Sequence, residues 1–479
     1  MNPLLERSSN LLGKYSGLPM YADIRAEHVS AAVEAMVKAV ELGISKVETD
    51  DREPTWENVI QELNLVEDWY VHVWSPISHL HGVKNEADLR EAYQKAMPQV
   101  VALGLKMGQS KPIYEKLERL KSGPLWKTFD HGQKRSIEQR LLSAKLAGIG
   151  LDDVKKERFN EITTELSQLS TDFSNNVLDS TKDFKLVLRS KAECDGLSES
   201  ILEMLAHSYA NSLKSAQDNS EASSEVAADP TNGPWLVTLD GPVFTAFMQN
   251  STRRDLREKV YRAFVTRAST GKTDNTALMT KILKLRHEKS LILGFKSYAE
   301  GSLASKMARS TEEVFSLLET LRQASIEPAK KELAEIETFA KAGGHVGPLS
   351  QWDIPFWAKR LEEKKFSFTD EVIRPYFSLE KVLTGLFELT RKLFNVNVEL
   401  APHGASVWHP DVSFYRIYDE EKVHIASFFL DPYSRPETKR GGAWMDEVVG
   451  RRVTGKDVRI PVAHLVCNFT PPVGDKDRK

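Results

Sequence analysis

Apolar positions recur at helical spacing over most of this chain. Val29, Val33, Met36, Val37 and Val40 fall on one face, which predicts a first helix entered after Asp23 and His28. Asp51-Arg52-Glu53-Pro54-Thr55 breaks the run, and Trp56, Ile60, Leu63, Val66 and Tyr70 then resume the same period. Phe159, Ile162, Leu166, Leu169, Phe173 and Val177 mark a further long amphipathic helix. The pattern is helical throughout from residue 28 to about 185, and no fixed-period self-similarity points to a solenoid.

Residues 215–234 contain a single large apolar residue, Val226, and are expected to form a flexible loop because they bury too little to fold. Trp235–Asp240 reads as a short strand, and helices resume over 252–268, 276–293, 311–341 and 378–394. Pro328 is expected at or between helices, since an interior proline removes a backbone bond; Gly343-Gly344 ends that run. After about residue 400 the period changes to two, with strands expected at 413–418, 423–430 and 458–467. Asp419–Lys422 joins the first two as a hairpin with a four-residue loop. Pro461 would put the last strand at an edge or a bulge. Three strands and one short helix leave little to cover a sheet, so this unit looks unfinished. The expected division is therefore 1–214 helical, 215–234 loop, 235–402 helical and 403–479 the start of an α/β region.

Composition narrows the function classes. The chain has 479 residues, 41% hydrophobic and 28% charged, with a net charge of −3. Two or three globular units are expected, with no electrostatic footprint for nucleic acid or an anionic membrane. Cys194 and Cys467 lie far apart and form no metal or disulfide framework. The first residues carry no signal-peptide core or Arg-rich transit pattern, and no run approaches the ~18 apolar residues of a membrane span. The expectation is a soluble, cytoplasmic protein.

The stretch with most chemistry is His424–Trp444, H-I-A-S-F-F-L-D-P-Y-S-R-P-E-T-K-R-G-G-A-W. A strand edge beside Gly441-Gly442 suits an extended peptide held by main-chain hydrogen bonds. Its plainer reading is a hairpin, a charged turn and the start of a helix. Arg435, Lys439 and Arg440 can hold a substrate carboxylate or pair with Asp431, Glu437, Asp446 and Glu447, and internal pairing is favoured. His72 and His79 would share a helix face ~10 Å apart, too far for one zinc ion. They and His81 read as core or surface histidines. His287-Glu288 lacks a second histidine at 291, which is Leu291, so no His-Glu-x-x-His motif is present. His403, His409, His424 and His464 have no ligand spacing, and no nucleophile elbow, P-loop or dinucleotide fingerprint occurs.

The run F-F-L-D-P-Y-S-R-P-E-T-K-R-G-G-A-W-M-D-E-V nevertheless resembles the thimet oligopeptidase/oligopeptidase A family of zinc metallopeptidases, including its plant cytosolic and organellar members. P-V-A-H-L-V-C-N-F-T-P-P-V-G-D-K (461–476) resembles the segment that follows in that family. G-Q-S-K-P-I-Y (108–114), F-S-N-N-V-L-D-S-T-K (173–182), R-E-K-V-Y-R-A-F (257–264) and R-P-Y-F-S-L (374–379) agree with it. The resemblance implies a mainly α, two-lobed zincin-type oligopeptidase fold with a channel between the lobes, of which only the start of the α/β catalytic part is expected here. It also implies hydrolysis of short peptides, cleaved targeting peptides included, by one zinc ion, in a molecule that is monomeric when complete. In the family a His-Glu-x-x-His helix supplies two ligands and the general base, and a downstream Glu supplies the third.

That helix begins a short distance after V-G-D-K in the family, so the resemblance implies that the zinc ligands and catalytic groups lie beyond Lys479. What carries over is the cleft edge: Phe428, Phe429, Leu430, Asp431, Tyr433, Arg435, Gly441, Gly442 and Ala443 are the implied substrate-binding residues. His424 matches no functional position. The expectation is a zinc-dependent oligopeptidase present as an N-terminal portion that is inactive alone, from an incomplete gene model, a splice form or a short isoform. The alternative is a non-catalytic helical protein that binds peptides or a partner.

Overall fold

The computed structural model describes residues 2–6, 17–217, 228–454 and 457–471. Six helices open the chain: α1 (Glu27–Thr49), α2 (Glu62–Val83), α3 (Ala87–Gly108), α4 (Lys111–Ser122), α5 (His131–Leu146) and α6 (Asp153–Asp183). Their apolar period places them as expected. Val29, Val33, Met36, Val40, Ile44 and Val47 of α1 are buried, against Leu63, Val66, Val73, Ile77 and Leu80 of α2. The side chains of Ser110, Asp130 and Asp152 accept hydrogen bonds from the first turns of α4, α5 and α6, satisfying otherwise orphaned N–H groups.

A short antiparallel pair follows, β1 (Leu186–Leu188) with β2 (Trp235–Val237); β2 is the short strand expected from Trp235, and β1 was not expected. Between them runs α7 (Glu199–Gln217), which takes in the first residues of the loop expected over 215–234; residues 218–227, half of that stretch, lie outside the described residues. Next come α8 (Gly241–Asn250), α9 (Arg254–Val265), α10 (Thr276–Ile292) and α11 (Tyr298–Leu303). The helical part closes with α12 (Thr311–Ala342), α13 (Ile354–Phe366), α14 (Asp370–Ile373) and α15 (Leu379–Phe394). Pro328 lies inside α12 and does not divide it. That stretch of helix is exposed, so water can take the carbonyl that proline leaves without a donor.

The C-terminal unit departs most from the periodicity. Strands β3 (Asn397–Leu400), β4 (Ser413–Tyr418), β5 (His424–Tyr433), β6 (Trp444–Val449), β7 (Arg452–Thr454), β8 (Asp457–Arg459) and β9 (Val462–Phe469) leave no helix after Ala443 among the described residues. Five of them form a mixed sheet in the order β3-β4-β5-β9-β6. The β4–β5 hairpin is present, with Ser413 opposite Leu430 and Asp419 closing the loop onto Val423. Of the edge or bulge expected at Pro461, the edge is absent, since β9 runs parallel to β5 and antiparallel to β6 in the sheet interior, but the β6–β9 register does shift between Glu447 and Val449, opposite Ala463 and Val462. Pro461 is tolerated because it precedes the strand, where only its carbonyl is used, accepting from Ser427 N–H at 3.0 Å.

The sheet is also better covered than its sequence neighbourhood implies. Phe414, Phe429, Val462 and Val466 join the same core as α1–α5, because the cover comes from helices hundreds of residues earlier. On the opposite face Phe428 stacks on Tyr415 and both approach Phe387 of α15. A second core gathers Leu188, Leu205, Trp235, Val237, Phe247 and Val260. Helix α6 reaches past both, held to α3 by a bidentate Arg90–Asp179 pair and to α10 by Arg158–Glu288. The fold is mainly α, with two lobes and one small mixed sheet.

Candidate peptide cleft

Where the second core meets the sheet, a cleft of about 440 Å³ opens. One wall is the C-terminal half of α6, with Phe173, Ser174, Val177 and Thr181; these positions share a helix face. The facing wall is the turn after β5, Ser434–Gly442. Asp240, Gly241 and Asn468 form the floor, and Phe264 and Arg267 lie at the end of α9.

The facing wall is built around one carboxylate. Asp431, near the C-terminal end of β5, is fully buried. Its Oδ atoms accept from Trp408 Nε1 at 2.9 Å, from both Arg435 guanidinium nitrogens at 2.7 Å, and from Lys439 Nζ at 2.9 Å. Burial works to raise this carboxyl, but Arg435 and Lys439 outweigh it and hold it below the usual carboxylate range. Lys439 also donates to the Tyr433 carbonyl at 2.7 Å. Arg435 and Lys439 therefore pair internally, and with Asp431 alone of the acids considered. Backbone bonds then tie the turn to the first lobe: Arg440 N–H donates to Gly82 O at 2.9 Å, and Asn85 N–H to Thr438 O at 2.7 Å.

This construction sorts the nine residues expected at the substrate edge. Phe429, Leu430, Asp431 and Tyr433 are buried, and Phe428 and Arg435 are half-buried against protein neighbours. Gly441, Gly442 and Ala443 are exposed. A Cβ on either glycine would meet nothing within 4 Å, and Gly442 has φ +103°, a conformation that side chains disfavour. They lead into β6, an edge strand of the sheet. The helix wall, Asp240, Arg267 and Asn468 were not singled out from sequence. The run 173–182 did carry the family resemblance, and that was the available signal.

Behind the turn lies a second buried polar group. Tyr21 Oη and His464 Nε2 are hydrogen-bonded at 2.8 Å, and His79 stacks on His464 with ring centroids 3.6 Å apart and planes at 11°. Among the described residues neither His79 nitrogen has a hydrogen-bond partner. Burial, then His464, Lys439 and Arg435, push the His79 pKa well below the usual histidine value, and burial takes His464 down to about 3. Rings stacked in this way aim their in-plane lone pairs along parallel planes, so they cannot converge on one ion. His81 is likewise buried, stacked on Tyr93. Among the described residues no group of three or more His, Cys, Asp or Glu is placed to hold a metal, so a zinc ion does not fit the donor set present there.

Known proteins place these features in context. A family model described as Neurolysin/Thimet oligopeptidase, N-terminal domain, matches residues 33–156, and one described as Peptidase family M3 matches residues 247–477. The chain is 43% identical over 475 residues to organellar oligopeptidase A, chloroplastic/mitochondrial, of Arabidopsis thaliana, covering 98% of this chain and 58% of that protein. It is 42% identical to the probable cytosolic oligopeptidase A of the same plant, covering 98% and 66%. Against oligopeptidase A of Salmonella typhimurium it is 37% identical over 481 residues, covering 99% and 67%. The chain thus spans between 58% and 67% of the length of these relatives.

Proposed function

Because the chain belongs to the oligopeptidase A family within peptidase family M3, we propose that its cleft binds short peptides in extended form for zinc-dependent hydrolysis. The observation that carries this reading is the open glycine pair leading into an edge strand on one wall of the cleft. Such an edge offers unpaired backbone donors and acceptors, and the absence of side chains lets a peptide backbone approach them. Gly441, Gly442 and Ala443 are the proposed contact residues. Phe428, Phe429, Leu430, Asp431, Tyr433 and Arg435 act from behind them, fixing the turn that presents the edge.

Zinc is proposed as the cofactor from family membership. The described residues do not provide its ligand set, and no hydrolytic step is assigned to them. Binding and cleavage are accordingly proposed to be separable: residues 1–479 bind peptide but do not turn it over alone. A cytosolic setting is proposed; relatives include organellar and cytosolic proteins, and no described helix is long and apolar enough to cross a membrane. The test is titration of the chain into a short dye-labelled peptide, alongside a quenched-fluorescent cleavage assay with and without added zinc. Saturable binding without turnover is expected. Absence of binding sinks the peptide reading, and chelator-sensitive turnover sinks the separation of binding from cleavage.

A further inference from the structure

Arg267 stands in the cleft with its charge uncompensated. Its guanidinium lies 3.8 Å from the centre of the Phe264 ring, its Nε donates to the Phe264 carbonyl at 2.9 Å, and Nη1 reaches Thr181 Oγ1 at 3.4 Å. None of these neighbours carries negative charge, and no carboxylate pairs with it among the described residues. Burial accordingly pushes its pKa down. Several other partly covered arginines are compensated. Arg90, Arg140, Arg257, Arg435 and Arg452 each meet a carboxylate, and Arg360 gives its donors to three backbone carbonyls. Arginine has five N–H donors, and those on Nη2 of Arg267 have no partner among the described residues.

The rest of the lining leaves that charge uncancelled. Asp240 is the acidic residue of the cleft, but its carboxylate caps α8 and accepts from the Thr238 hydroxyl, and burial pushes its pKa up. Lys439 is committed to Asp431. Arg440, on the wall opposite α6, is exposed, and its guanidinium makes a 3.5 Å contact with Ser174 Oγ and no ion pair among the described residues. The cleft volume of about 440 Å³ suits a ligand end rather than a single ion.

We propose that Arg267 anchors a carboxylate of the bound peptide, with Arg440 as a second cation on the facing wall. A planar guanidinium stacked on Phe264 keeps its fork rigid, which favours two-point recognition of a carboxylate. This deepens the peptide reading and rests on it. The carboxylate belongs either to the peptide C-terminus or to an Asp or Glu side chain.

The full 479-residue chain separates these cases with three rhodamine-labelled peptides of one neutral sequence: the free acid, the C-terminal amide, and the amide with one internal Glu. Binding of the free acid about tenfold tighter than the plain amide is expected if the terminus is bound; preference for the Glu peptide assigns the side chain instead. Arg267→Gln should reduce either preference to below about twofold, with Arg267→Lys intermediate because it keeps the charge and loses the fork. Arg440→Gln, an exposed change, should reduce it in part. Equal binding of all three peptides overturns the anchor and leaves the peptide reading standing. N-acetylglycine against N-acetylglycinamide gives the converse arm, read as a rise in Tm. Stabilisation by the acid alone, lost in Arg267→Gln, supports the anchor even if no peptide binds; no difference between them, with no peptide bound, overturns both.

Discussion

His79 of α2 and His464 of β9 stack face to face, centroids 3.6 Å apart, so a lobe of helices and the sheet interior meet through two imidazoles. Two adjacent buried rings resist being charged together, and both pKa values are depressed by burial. The pair is therefore neutral in the folded chain. In the unfolded chain each histidine titrates near its ordinary value of about 6.5.

The sign of the pH dependence follows. A histidine with a lowered folded pKa contributes fully above the unfolded value, and its contribution is lost as pH falls towards the folded one. Stability should decline below about pH 6.5, at up to ~1.4 kcal/mol per pH unit for each histidine, continuing towards pH 3 for His464. His79→Phe keeps an apolar ring in the stack and should flatten the decline by one histidine's share. Urea midpoints between pH 7.5 and about 4.5 measure it. Equal slopes for both proteins would show that His79 is not protonated on unfolding.

Asp431 gives a prediction of the opposite character. Replacing it by Asn keeps the shape but leaves Lys439 and Arg435 without their counter-charge in a buried turn. The expected loss is about 3–5 kcal/mol, as for removing one member of a buried ion group. Lys439→Met combined with Asp431→Leu should lose less than the sum of the two single losses, since Lys439 is then no longer stranded and only Arg435 lacks its counter-charge. Additive losses in that double-mutant cycle would deny the coupling.

These two clusters also mark where sequence legibility ended. The helices were readable because Val29–Val40 and Phe159–Val177 keep one apolar face over several turns. Strand β5 was readable from its β-rich run, whereas β6 was not: Met445, Asp446 and Glu447 are exposed, as on an edge with one solvent side. Nothing in α2 announces that His79 will find His464, since the pairing depends on docking of distant elements. The same holds for the cleft. Phe173, Ser174, Val177 and Thr181 are visibly one helix face, but their partner turn at 434–442 is set by the Asp431 hub. Arg267 is one of 65 basic residues, and what distinguishes it, a place in the cleft with no acid paired to it among the described residues, exists only in three dimensions.

Exposed helix faces carry a further prediction. Phe315, Leu318 and Leu321 of α12 are 69%, 54% and 56% exposed, and Leu386, Leu389 and Leu393 of α15 are exposed as well. Contiguous apolar surface of this kind favours association. The purified chain should self-associate with rising concentration and bind an apolar dye. Leu318→Lys with Leu389→Lys should reduce both while leaving the helix content unchanged. A monomer at all concentrations without dye binding would contradict this.

The glycine pair separates backbone strain from ligand approach. Gly442 has φ +103°, so Gly442→Ala should cost roughly 1 kcal/mol of stability although the site has room. Gly441 has no such φ, and a Cβ there meets nothing within 4 Å, so Gly441→Val should leave Tm almost unchanged. If a peptide backbone lies against this edge, the valine side chain occupies its path. Peptide affinity should then fall about tenfold, the equivalent of losing one or two main-chain hydrogen bonds. Because the fold is undisturbed, that loss can be assigned to the approach itself, and a conformational cause is excluded by the unchanged Tm. Undiminished affinity in Gly441→Val would move the peptide away from the glycine edge, to the α6 wall or elsewhere in the cleft.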